Sequence, residues 1–182
     1  RKGLISLLGQ ISNSKQVDDG PIRNHFPAAQ QAKFSNTVIR ALGYDFERGR
    51  SDPTAHPFMT RFAHGDVRIT TRTNKLFLGE HLFVTIHEAG HALYEQGTRA
   101  DDDGTPLGGG ASSGMHESQS RLWENIVARS PEFWSYWYPQ LQAAFPEQLR
   151  NVKLDEFYNA INRVEPSLIR TDADEVTYNL HV

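Results

Sequence analysis

His87-Glu88-Ala89-Gly90-His91 is the stretch of this sequence whose residue types and spacing are suited to chemistry. Two histidines four positions apart on a helix lie on one face, so both imidazoles reach one metal ion. Glu88, next to the first histidine, is placed to take a proton from a water that the ion polarises. This is the residue pattern of a hydrolytic zinc site. Five residues also match by chance, so the surroundings must decide. They are apolar, with Leu82-Phe83-Val84-Thr85-Ile86 before the pattern and Ala92-Leu93-Tyr94 after it, as a buried helix requires.

A hydrolytic zinc site needs three protein ligands and one open position. The leading candidate for the third is Glu117 in His116-Glu117-Ser118-Gln119. A helix–loop–helix hairpin would return it to the two histidines. The alternative is a carboxylate that merely favours the first turn of a helix. His116 reads as a supporting or structural residue rather than a ligand.

Further candidates concern the substrate. Asp66-Val67-Arg68-Ile69-Thr70 precedes the metal helix, and a strand beside a peptidase cleft can pair with substrate backbone along its edge. The planar fork of Arg68 is suited to a carboxylate. A solvated surface arginine is the plain alternative. Arg170, within Ile169-Arg170-Thr171-Asp172-Ala173-Asp174, is a second candidate anchor for a carboxylate, or a salt-bridged helix start. Asp174, Tyr178 and His181 share a helical face, and His181 could donate a hydrogen bond to an oxyanion. His56 in His56-Pro57-Phe58 reads first as part of a packing turn and second as a substrate contact. His25, His64 and His81 show no pairing and read as structural.

The elements that must position these groups are mostly helical. Leu4 to Ile11 and Ala28 to Leu42 read as helices, the second stopped by Gly43. Tyr44 to Met59 is rich in turn formers. Asp66 to Arg72 alternates as a short strand. The metal helix follows and ends near Gly97. Asp101 to Gly114 is an acidic, glycine-rich loop, and Met115 to Arg129 is a second helix stopped by Pro131. Leu154, Phe157, Tyr158 and Ile161 mark a third. Asp172 with Glu175 resembles the opening of a last one. Trp123, Trp134, Trp137, Tyr136 and Tyr138 read as packing aromatics.

Composition excludes several classes. A chain of 182 residues is long enough for one domain with a core. A net charge of -3 leaves no basic footprint for nucleic acid or an anionic membrane. The absence of cysteine rules out a disulfide scaffold and a thiolate-bound metal. No apolar run approaches the ~20 residues that span a bilayer. The chain starts without Met and stops at Leu180-His181-Val182 inside a periodic segment, so we expect a piece of a longer protein.

His56-Pro57-Phe58, the Asp66 to Thr70 strand, His87 to His91, His116 to Gln119 and Ile169 to Asp174 occur in this order, and the set resembles the signature motifs of the carboxypeptidase Taq family of metallocarboxypeptidases. Five ordered motifs are far more specific than HExxH alone. The resemblance implies a mainly α, zincin-like core with a small sheet beside the HExxH helix, part of a larger saddle-shaped helical fold. Residues 1–182 would form the central part of a single catalytic domain, with the family's N- and C-terminal regions absent. It implies His87, His91 and Glu117 as zinc ligands, with cobalt able to replace zinc, and Glu88 as general base and acid. It implies release of single residues from peptides with a free C-terminus, with broad specificity. Arg68, Arg170, Asp66 and His56 become candidates for substrate contact, and His181 for substrate or transition-state contact. It further implies a cytoplasmic homodimer at full length. Two competing expectations stay open at this point: a zinc endopeptidase or oligopeptidase, and a catalytically incomplete metal-binding fragment.

Overall fold

The computed structural model describes residues 2–165. Seven α-helices occur among them: α1 (Lys2–Ser12), α2 (Ala28–Leu42), α3 (Leu78–Gln96), α4 (Ser113–Arg121), α5 (Pro131–Ala144), α6 (Pro146–Leu149) and α7 (Leu154–Ile161). Three strands, β1 (Ser51–Pro53), β2 (Met59–Ala63) and β3 (Asp66–Thr71), form one sheet in the order β1-β3-β2. The fold is therefore mainly helical with a small sheet, as the resemblance implied.

The metal-motif helix α3 is the centre of the molecule. It packs against β2 and β3 on one side and against α2 and α4 on others. That explains why its sequence is apolar around most of its circumference. Leu82, Phe83, Ile86, Ala89 and Ala92 are all buried. The alternation expected of Asp66 to Arg72 is seen in β3. Val67, Ile69 and Thr71 are buried, while Arg68 is exposed. Thr71 reaches across to α3, its hydroxyl 2.9 Å from that of Thr85.

The sheet corrects one expectation. β3 is the central strand: β1 pairs with it in parallel, Ser51 opposite Ile69, and β2 pairs antiparallel, Met59 opposite Ile69. Both edges of β3 are occupied, so it cannot bind substrate by edge pairing. The stretch from Tyr44 to Met59, read as turns, also holds β1, and β2 starts at its last residue.

α2 has the expected bounds, and Gly43 closes it at a φ of 112°. The helix expected over Met115 to Arg129 is two elements. α4 starts earlier, where the Ser112 hydroxyl accepts the Met115 amide at 3.2 Å. From Leu122 to Val127 the chain widens into a π-helix. α5 opens on a Ser130 cap with Pro131 in its first turn. It brings Trp134 and Tyr138 onto Phe157 of α7, at ring separations of 4.6 and 4.8 Å. Tyr136 departs from the packing role expected of it and is exposed. The Asp172 helix start lies outside the described residues.

Candidate metal centre

His87 and His91 stand one turn apart on the same face of α3, with ring centroids 5.0 Å apart. Glu117 comes to them from α4, which crosses α3 at very close range. The crossing depends on Gly90. A Cβ there would lie 2.6 Å from the Ser120 Cα and 2.9 Å from the Gln119 carbonyl oxygen. With hydrogen in place of a side chain, the two backbones meet. Glu117 Oε2 then lies 3.3 Å from His91 Nε2 and 3.8 Å from His87 Nε2. The reading of Glu117 as a first-turn acid is corrected: α4 starts at Ser113 and has no acidic residue in its first turn.

The three donors fit a metal ion. One ligand atom from each of His87, His91 and Glu117 lies within 4.8 Å of the others. Metal–ligand distances of about 2.0–2.1 Å in a tetrahedral site place ligand atoms roughly 3.3 Å apart. The two separations from Glu117 to the histidines, 3.3 and 3.8 Å, sit close to that spacing. Two imidazoles and a carboxylate are also the donor types that zinc accepts in hydrolytic sites.

The far side of each imidazole is held as well. His87 Nδ1 lies 2.8 Å from Glu124 Oε2. Glu124 belongs to the π-helix, and from there its carboxylate reaches back to α3. Such turns recur at functional sites. His91 Nδ1 lies 2.8 Å from His116 Nδ1, whose Nε2 lies 2.7 Å from Glu95 Oε1. The sequence reading missed Glu95 and Glu124. Helical spacing held a signal for both. Glu95 continues the His87, His91 stripe by one more step of four, and Glu124 lies seven residues beyond Glu117.

Electrostatics at the site follow from burial and from this cluster of acids. Burial opposes a charged His87, but Glu124, with Glu88 and Glu117 behind it, outweighs that and holds the imidazole above its ordinary pKa. Glu88 is buried, and burial raises its carboxyl above the usual range. The two histidines oppose the shift, and Glu117 and Glu124 add to it. A carboxylate tuned upward in this way is suited to accept a proton and later release it.

Two cavities of about 670 Å³ each meet at Glu88 and Pro57. The first runs past His91, His116 and Glu117 to Phe58 and Met59. The second runs past His87 and Glu124 to Arg72, Arg129 and Arg163. His56 is exposed and lines the second. Arg68 and Asp66 line neither. They hold each other on β3 through two hydrogen bonds of 2.7 and 2.6 Å, and the guanidinium lies 4.9 Å from the Phe62 ring centre. Arg170 and His181 fall outside the described residues. His81 is buried against Thr73, 2.9 Å away, and has no place in the metal centre.

The chain is similar to known proteins throughout its length. The family model described as carboxypeptidase Taq (M32) metallopeptidase matches residues 1–182. Thermostable carboxypeptidase 1 of Thermus thermophilus is 49% identical over 183 residues, covering 100% of this chain and 36% of that protein. Carboxypeptidase 1 of Bacillus subtilis is 44% identical with the same coverage. The crystal structure of an M32 carboxypeptidase from Deinococcus radiodurans superposes with a TM-score of 0.93 at 52% identity, over 98% of this chain and 36% of that one. The chain thus spans about a third of the length of these relatives.

Proposed function

The chain belongs to the carboxypeptidase Taq (M32) metallopeptidase family, and from that premise we propose that it carries the metal centre of a carboxypeptidase that releases C-terminal residues from peptides with broad specificity. Membership of a metallopeptidase family implies a metal ion. In this reading the ion is zinc, replaceable by cobalt, held by His87, His91 and Glu117. The observation that carries the proposal is the convergence of these three donors beside a buried Glu88, at the junction of two cavities.

Bound there, the ion would supply Lewis acidity toward a water and a peptide carbonyl. The protein's own groups do the rest. Glu88 takes the proton of the attacking water and delivers it to the leaving amine. Its raised pKa favours the first of these transfers, from water to the carboxylate. Glu124 holds the His87 ring in place.

Removal of C-terminal residues needs a cation to receive the free carboxylate. Arg72, held by Glu80, Arg163, held by Asp19 and Glu165, and Arg129 all line the second cavity, and no arginine or lysine lines the first. We therefore place the departing residue in the second cavity and the remaining peptide in the first. The edge-pairing role passes from β3 to β2, a sheet edge among the described residues whose Met59 lines the first cavity. Arg170 follows soon after Glu165, which lines the second cavity, and stays a candidate for the carboxylate. His56 at the rim of the same cavity, and His181, stay candidates for substrate contact. Action as a cytoplasmic homodimer rests on the family resemblance alone; no helix among the described residues is long and apolar enough to cross a membrane.

One observation favours a second reading, an oligopeptidase that needs no free carboxylate. The Arg68 fork is closed on Asp66 and lines neither cavity. Paired free-acid and amidated peptides separate the two readings.

A further inference from the structure

We infer that Glu95 and His116 are positioning residues for His91, forming a line of ordered protons that presents its Nε2 to the metal. The inference rests on the metal-site reading above and goes beyond the three ligands.

Two imidazole nitrogens, His91 Nδ1 and His116 Nδ1, face each other at 2.8 Å, and a hydrogen bond between them holds one proton. The Glu95 carboxylate faces the other nitrogen of His116 at 2.7 Å and can only accept. His116 Nε2 therefore carries a proton. If His116 is neutral, its Nδ1 is a lone pair, and the proton between the rings belongs to His91. The lone pair of His91 is then on Nε2, the atom that faces Glu117 at 3.3 Å. The opposite arrangement, with the shared proton on His116, would leave His91 Nε2 protonated and unable to bind a cation. One set of donors and acceptors thus satisfies every contact in the line and the metal together.

Glu95 is built to anchor it. It is buried, its Oε1 accepts the Gly110 amide at 3.0 Å, and its Oε2 lies 3.5 Å from Arg61 Nε on β2. The other ligand is held differently, since His87 meets Glu124 with no ring between them. The two histidines of one motif therefore have separate supports, one from the π-helix and one from the end of α3.

The test is zinc and cobalt(II) affinity, measured by chelator competition on the wild-type protein, Glu95→Gln and His116→Phe. The melting temperature of each metal-free form is measured alongside. We expect the wild type to bind both ions and His116→Phe to bind about 10–100-fold more weakly, the range for lost support of a metal-bound histidine. Glu95→Gln keeps an acceptor but loses the charge, so we expect a smaller loss and an altered cobalt spectrum. The metal-free melting temperature should hold in Glu95→Gln, which carries the test should His116→Phe not fold. Wild-type affinity in both variants, or a fall in melting temperature with affinity unchanged, overturns the positioning role and leaves the metal site standing. A wild type that binds neither ion overturns the metal-site reading and this inference with it.

Discussion

Gly90 lies directly on the backbone of Ser120, so close that a Cβ at position 90 would sit 2.6 Å from the Ser120 Cα. This crossing of α3 and α4 sets how near Glu117 comes to His87 and His91. Geometry of the centre is thus decided in part by a residue with no side chain to offer an ion.

Gly90→Ala should push α4 away. Overpacking of this kind costs about 1–3 kcal/mol. Because Glu117 travels with α4, metal affinity should fall at least about tenfold. Calorimetric melting and chelator competition read the two effects. A variant with native melting temperature and native affinity would show that the crossing tolerates a methyl group.

Glu124 should set the behaviour of His87 in the metal-free protein. The His87 pKa is raised in the fold, against burial, by the nearby carboxylates. A raised value means the His87–Glu124 pairing stabilises the metal-free fold below the unfolded imidazole value of ~6.5, and that this stabilisation is lost as pH rises through the higher folded value. In Glu124→Gln the His87 midpoint should move down and the added stability at acid pH should shrink. Histidine NMR titration of metal-free protein measures the first, and melting against pH the second. An unmoved midpoint would contradict the assignment.

These relationships mark how far the sequence could be read. The bounds of α2 were legible because its apolar stripe ends at a glycine that takes a positive φ. β3 was legible because it is buried on one face and alternates. β2 was not, since Met59 to Ala63 are mostly half-buried and the strand exists through its pairing with β3. β1 is three residues and includes a proline. The π-helix was invisible to any count of helical period, because Leu122 to Val127 reads as ordinary helix until the added residue is seen. In the site, His87, His91 and Glu117 could be picked from residue type. Glu95 and Glu124 touch the far nitrogens of His116 and His87 instead, and an acid at such a helix position usually faces water.

Glu88→Gln should separate binding from turnover. Gln has the same shape but cannot take a proton. Metal affinity should stay within a few-fold of wild type, while kcat falls by about 10²–10⁴. Metal content and steady-state rates on one peptide decide it. Retention of most of the activity would remove Glu88 from the role of general base.

The proposed action on peptides with a free C-terminus can be decided with one peptide in two forms. The protein loaded with zinc or cobalt is incubated with the free acid and with its C-terminal amide, and products are followed by mass spectrometry. Stepwise loss of residues from the end of the free acid is expected, with the amide left intact. Equal cutting of both forms, or of neither, would contradict the proposed action.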